Sequence, residues 1–314
     1  MSKQITSTVM MIRPVAFRFN EETAVNNYYQ KVINGVSVSR VQNHALQEFD
    51  TFVALLKSKA IDVVVIEDTI EPSTPDSIFP NNWISFHQDG RVCLYPMCAE
   101  NRRLERREDV LRKLQEEHEF LLSDVVDFSH YEKKQLFLEG TGSMLLDRIN
   151  RIAYAALSIR TDVKVLEDFC FHFNYQAVTF TSNQSVGSER LPIYHTNVMM
   201  CLADEFVVLC ADTIDNEIER NLLIKQLEST GKEIIYITEE QKHRFAGNML
   251  QLLSKTGEKY LVMSSSAHIA LNVSQIDQIE KYCQILSSSL DTIEACGGGS
   301  ARCMMAEIFL PKTF

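Results

Sequence analysis

The sequence predicts an α/β chain assembled from a repeated ββαβ unit, and three observations predict it. Short apolar, β-branched runs alternate with longer segments of helical spacing. The strand that follows each helix ends near residues 66, 127, 180, 236 and 294, giving intervals of 61, 53, 56 and 58 residues. The last apolar run, 304–309, has no helix after it and completes the unit opened by the first, 8–12. Pairing the two end strands in one sheet closes a ring and leaves no exposed edge. An open doubly wound sheet is the alternative arrangement of the same elements.

Strands are expected at 8–12, 61–66, 83–87, 92–95, 136–138, 143–146, 152–156, 176–180, 198–202, 206–210, 233–237, 260–263, 291–295 and 304–309. Helices are expected at 43–58, 101–120, 162–172, 214–229, 238–253 and 275–287. The 61–66 strand contains the run Val63-Val64-Val65-Ile66. The 101–120 helix opens on Glu100-Asn101-Arg102-Arg103-Leu104-Glu105-Arg106-Arg107-Glu108-Asp109, whose mixed signs at helical spacing read as a solvated face with i,i+4 pairs. The unit is clearest at 198–237: strand, tight turn at Asp204-Glu205, strand, helix, strand. Thr238 with Gln241 forms a capping box for the next helix.

Composition narrows the function. Of 314 residues, 45% are apolar and 23% charged, which excludes wholesale disorder. Thirty-one basic against 42 acidic residues leave a net charge of -11, which argues against nucleic acid as partner. No apolar run is long enough to cross a bilayer, and residues 1–7 lack the apolar core of a secretion signal. A cytoplasmic protein without a membrane partner is expected. No Pro/Gly/Ser-rich linker divides the chain, so residues 1–314 read as one domain. The eight cysteines form no C-x-x-C pair, and no glycine-rich phosphate fingerprint is present.

Five stretches carry residues suited to chemistry. Gly297-Gly298-Gly299-Ser300-Ala301-Arg302-Cys303 places a thiol beside an arginine after a loop whose backbone can approach a ligand closely. Read alone, it fits equally a flexible turn before a buried cysteine. A cysteine nucleophile needs a proton partner. His195 stands at the mouth of the 198–202 strand, with Asn197 projecting to the same side. Glu139 ends an apolar run and is followed by Gly140 and Gly142; a substrate-facing carboxylate and an ordinary hairpin both fit. Phe79-Pro80-Asn81-Asn82-Trp83 carries two amides and no carboxylate. Arg160, in Ser158-Ile159-Arg160-Thr161, sits at a strand-to-helix junction suited to a carboxylate clamp.

In this order along nearly the whole chain, the five stretches resemble the guanidino-group-modifying superfamily: arginine deiminases, dimethylarginine hydrolases, amidinotransferases and succinylarginine dihydrolases. The resemblance implies a five-bladed α/β propeller (pentein) of ββαβ units with pseudo-fivefold symmetry. It implies Cys303 as the attacking thiolate, His195 as proton carrier and Glu139 as the acid that binds a substrate nitrogen. Arg160 matches the arginine holding the substrate carboxylate, and Arg91 is a weaker match for a second clamp. No metal or organic cofactor is implied; the partner is a small amino-acid substrate, with a homodimer left open.

Two positions depart from arginine deiminases, which carry aspartates where this chain has Asn82 and Asn197. A guanidinium offers only donors and a positive charge, so carboxylates suit it. A ureido group is neutral and carries a carbonyl acceptor. A buried carboxylate facing that acceptor is mispaired, at a cost on the order of 1–3 kcal/mol. An amide donates to the oxygen and accepts from an N–H. The departures point to citrulline or a close analogue and place the chain nearest the citrulline-utilisation hydrolases. The alternatives are an arginine deiminase, arginine dihydrolase or amidinotransferase, and, in a different class, a non-catalytic amino-acid-binding propeller.

Overall fold

The computed structural model describes residues 3–313. The strands are β1 (Thr8–Arg13), β2 (Asp62–Glu67), β3 (Ile84–Phe86), β4 (Arg91–Leu94), β5 (Asp124–Asp127), β6 (Leu145–Asp147), β7 (Ile152–Leu157), β8 (Gln176–Thr181), β9 (Asn183–Val186), β10 (Glu189–Pro192), β11 (Met200–Leu202), β12 (Phe206–Leu209), β13 (Glu233–Tyr236), β14 (Leu250–Leu253), β15 (Lys259–Ser264), β16 (Gln284–Ser288) and β17 (Ala306–Glu307). They form five three-stranded sheets, with β9 and β10 as a separate hairpin. In each three-stranded sheet the middle strand pairs antiparallel on one side and parallel on the other. Tight turns suffice for the antiparallel joins within β3–β4, β6–β7, β11–β12 and β14–β15. The parallel joins run through connections that carry helices, as parallel pairing demands. The fifth sheet in this series, β17-β1-β2, joins the two ends of the chain: Val9 opposes Glu307 and Met10 opposes Ala306.

Apolar clusters tie each sheet to the next. One lies between β1-β2 and β3-β4 (Ile12, Val64, Ile84, Phe86). Another joins β4 to β6-β7 (Cys93, Leu146, Ala153, with Phe169 and Phe173). The largest spans β7, β11-β12-β13 and β15, and the last returns from β14-β15 to β1 and the helix Val38–Ser58. That helix buries Val41, Ala45, Phe49, Phe52, Val53 and Leu56, the spacing of one apolar stripe, and is capped by Ser37. Among the described residues no helix is long and apolar enough to cross a membrane.

Several sequence expectations need correction. The run 291–295 is not a strand but part of the helix Asp291–Gly297, because Glu48 accepts the N–H groups of Thr292 and Ile293 at 2.8 and 3.0 Å. The expected helix 238–253 stops at His243. Phe245 takes a left-handed φ of 63° and the chain leaves into β14. The capping box of Thr238 and Gln241 is present. The 101–120 helix is two short ones, Glu100–Arg103 and Glu108–Glu116, and its charged run is not a solvated face: Arg102 and Glu105 are buried against each other. The 275–287 helix ends at Glu280 before β16. Residues 136–138 contribute only an isolated bridge, Leu138 to Thr161.

Candidate active site

Each of the five sheets is preceded by a tight turn, and these turns converge. Pro80–Asn82 leads into β3, Gly140–Ser143 into β6, Thr196–Val198 into β11, residues 245–248 into β14 and residues 300–303 toward β17. They pack backbone to backbone. At Gly140, which has a φ of 49°, a Cβ would overlap the Asn81 carbonyl; at Gly142 it would overlap the Asn82 amide and sit 3.0 Å from His195 Nδ1. Thr196 Oγ1 donates to the Ser143 carbonyl at 2.5 Å. The glycines are what let Glu139, Asn82 and His195 share so little space.

Glu139 is fully buried. Its Oε1 accepts from the Cys98 N–H at 3.0 Å; its Oε2 accepts from His195 Nε2 at 2.8 Å and Arg160 Nη1 at 3.4 Å. Burial pushes its pKa up, but the Arg160 charge and the bond from the His195 imidazole outweigh it and hold the carboxylate well below its ordinary range. Burial pulls His195 down to about 4, against the opposing pull of Glu139. The imidazole is therefore neutral near pH 7. With Nε2–H given to the carboxylate, Nδ1 is the basic nitrogen.

Cys303 is buried at the end of the turn that follows the helix Asp291–Gly297. Gly298 caps that helix with a φ of 62°, where a Cβ would overlap the Asn27 side chain. The Cys303 N–H donates to the Ser300 carbonyl at 3.0 Å, and its Sγ accepts from the amides of Asn248 at 3.2 Å and Asn197 at 3.5 Å. Among the described residues Asn197 Oδ1 has no partner. Asn82 Oδ1 accepts from Arg102 Nη1 at 2.9 Å, which turns its NH2 toward Glu139; its one bond there, to the Glu139 carbonyl, is long at 3.5 Å. Arg102 is itself gripped by Glu105 through two bonds of 2.8 and 2.9 Å.

Cys303, His195, Asn82, Arg160, Arg102, Asp76, Tyr194, Phe79 and Gly297–Gly299 line one cavity. Its free space is about 20 Å³, room for about one water. Thr23 and Asn27 line the cavity, and the Thr23 carbonyl and Asn26 Oδ1 hold the Arg160 guanidinium, with Nη2 and Nε at 3.0 and 2.8 Å. Asp76 Oδ2 accepts from Asn20 and Thr23, while its Oδ1 has no partner.

Of the residues singled out in the sequence, Cys303, His195, Glu139, Asn82, Asn197 and Arg160 come together. Arg91 does not. It is the first residue of β4, its guanidinium bonded to Asp89 and to the His172 carbonyl and stacked 4.4 Å from the Phe173 ring, and it lines no part of the cavity. The second arginine of the cavity is Arg102, hidden in what reads as a solvated charge run. Asp76 and Asn248 were also missed. The usable signal for Asn248 is positional, since its turn precedes β14 as the turns of Asn82 and Asn197 precede β3 and β11.

A thiol under amide donors, beside an imidazole oriented by a carboxylate, is equipped to attack a carbon that carries nitrogen leaving groups. Such an arrangement on five small sheets agrees with the guanidino-group-modifying superfamily. The family model described as N,N dimethylarginine dimethylhydrolase, eukaryotic, matches residues 13–310, and the chain belongs to that family. No curated protein matches it by sequence.

Among solved structures, apo ArgZ, an arginine dihydrolase from the ornithine-ammonia cycle in cyanobacteria, matches with a TM-score of 0.74 at 16% identity. The match covers 98% of this chain but 41% of that one, so the chain spans about two fifths of ArgZ. The N-terminal domain of ArgZ bound to substrate matches at 0.72 and 16% identity, over 96% of this chain and 97% of that domain. A dimethylarginine dimethylaminohydrolase variant carrying an S-methyl-L-thiocitrulline adduct matches at 0.60 and 12% identity, over 97% of this chain and all of that one. At these identities the likeness is one of fold.

Proposed function

We propose that the chain hydrolyses the ureido carbon of citrulline or a close analogue through a thiocarbamate on Cys303, giving ornithine, ammonia and carbon dioxide. The observation that carries this reading is a pair of amides, Asn82 lining the cavity and Asn197 beside the Cys303 sulfur that also lines it. Arg102 occupies Asn82 Oδ1, so Asn82 presents a donor; Asn197 keeps a buried, unpartnered Oδ1, so it presents an acceptor. One donor and one acceptor suit a group with one C=O and an NH2. A guanidinium has no acceptor for the Asn82 NH2.

In the proposed course Cys303 passes its thiol proton to His195 Nδ1 as its sulfur adds to the ureido carbon, and the C–N bond breaks with that proton going to the departing ammonia. A water that gives its proton to His195 Nδ1 then cleaves the thiocarbamate. The released carbamate loses carbon dioxide. Glu139 stays ionised and steadies the imidazolium. Arg160, freed from Asn26, takes the substrate carboxylate, and the free Asp76 oxygen takes its ammonium. The scaffold we propose is a single catalytic domain over 1–314, a five-bladed propeller with β17 on β1 as its closure. No cofactor enters the scheme.

A second reading, hydrolysis of arginine itself, is favoured by the likeness to ArgZ. Turnover of citrulline, arginine, methylarginines and succinylated arginine separates the two. Citrulline is expected to release ammonia and ornithine with the highest kcat/KM. A wide preference for arginine replaces the ureido reading with the second.

A further inference from the structure

Asn248 is buried, and its amide is committed at both ends. Its Oδ1 accepts from the Arg302 N–H at 3.1 Å, and its Nδ2 donates to the Asn197 carbonyl at 3.0 Å and to Cys303 Sγ at 3.2 Å. A backbone N–H only donates and a carbonyl only accepts. Those two partners therefore fix which way the amide points, and the NH2 must face the sulfur. Arg302 is the residue before Cys303, so the same side chain sets both the backbone that carries the thiol and the donor aimed at it.

We infer that Asn248 is a catalytic residue: it donates to the Cys303 sulfur, holding the thiolate before attack and receiving it when it leaves. The inference rests on the reading of Cys303 as nucleophile. A neutral thiol gains little from an N–H donor, whereas a sulfur anion gains a charge-assisted bond, so the contact favours the reactive form. The demand arises twice. When sulfur bonds to the substrate carbon, its charge moves into the adduct. When water cleaves the thiocarbamate, the C–O bond forms, the C–S bond breaks with its electron pair passing to sulfur, and the water proton goes to His195. Asn197 supports the same sulfur from a longer distance of 3.5 Å. The ionisable neighbours around this cavity are Asp76, Arg102, Glu139, Arg160, Tyr194 and His195; none of them donates a hydrogen bond to Sγ.

The test is alkylation of Cys303 by iodoacetamide, followed by mass spectrometry, in the full chain. Asn248→Asp keeps an acceptor for the Arg302 N–H and loses the donor; Asn248→Ser is too short for its hydroxyl to reach the sulfur. Both are expected to alkylate about tenfold or more slowly than wild type at pH 7, with the pH profile displaced to the alkaline side, and to lose kcat with little change in KM. Wild-type alkylation rate and profile in a folded variant overturn the inference even if turnover falls, since a purely structural role leaves the thiol chemistry unmoved. Should both variants fail to fold, wild type labelled with 15N-asparagine decides: alkylating Cys303 shifts the Asn248 side-chain signals if the bond exists, and unshifted signals overturn it. Full activity in Cys303→Ala is the separate result that removes the nucleophile reading and this inference together.

Discussion

Asn82 and Asn197 are distinguished by their partners rather than by their chemistry. Arg102 leaves Asn82 only its NH2 for the cavity, and the sulfur contact leaves Asn197 only its oxygen. Changing both to aspartate is expected to lower citrulline kcat/KM by about tenfold or more per site, from roughly 1–3 kcal/mol for each mispaired buried group. The two sites should respond unequally. An aspartate at 82 meets the Arg102 guanidinium at once, whereas one at 197 faces the Cys303 sulfur. Asn197→Asp should therefore cost more kcat than Asn82→Asp. Ratios of kcat/KM for citrulline and arginine in the single and double variants measure this, and equal losses at the two sites would refute the asymmetry. His195→Ala is expected to lose roughly 10²–10⁴-fold in kcat while substrate binding survives, the usual worth of positioned proton transfer. Normal turnover with weakened binding would return His195 to a structural role.

The element that carries Cys303 has a titration of its own. Glu294, within the helix Asp291–Gly297, accepts from Ser300 Oγ at 2.5 Å and is buried. Burial raises its pKa to about 7. The folded state thus keeps a proton that the unfolded chain gives up near its ordinary value of 4.5. Between those values the unfolded state binds fewer protons, so stability falls as pH rises from about 4.5 to 7, by roughly 3 kcal/mol for a gap of this size. Glu294→Gln keeps an acceptor for Ser300 and removes the titration. Urea denaturation at pH 5 and 7.5 should show a smaller loss of stability in the variant than in wild type; an identical loss would exclude Glu294 as its source. This helix also marks the limit of sequence reading. Its apolar character was visible, but Glu48, distant in sequence, decides that it is helical. The strand-turn-strand-helix-strand unit at 198–237 was legible because its turn and both periodicities are local. Arg102 was not, because a run of alternating charges looks the same whether its arginine faces water or pairs with a buried Glu105.

Across the whole molecule, site and stability are shared among all five sheets. Asn82, Glu139, His195 with Asn197, Asn248 and Cys303 come from turns before β3, β6, β11, β14 and β17, so no sheet holds the cavity by itself. The apolar clusters likewise lie between sheets, one of them running from β14-β15 to β1, and β17 pairs with β1. The pairing of the chain's two end strands in one sheet was foreseeable from the spacing of the repeat. The convergence of the turns was not, because it depends on which ends of the sheets face one another. Such coupling should make the chain unfold as one unit, with loss of activity tracking loss of structure. Phe169 tests this far from the chemistry. It is buried between the β3-β4-β5 and β6-β7-β8 sheets, stacked 4.8 Å from Phe173 and tilted at 6.0 Å to Tyr95. Phe169→Ala should cost roughly 3–5 kcal/mol. The loss should appear as a lower urea midpoint for fluorescence, circular dichroism and activity together, with kcat unchanged in the absence of urea. Activity that persists after the aromatic cluster has melted, or two separated transitions, would show that the sheets stand independently and that the cavity needs fewer than five of them.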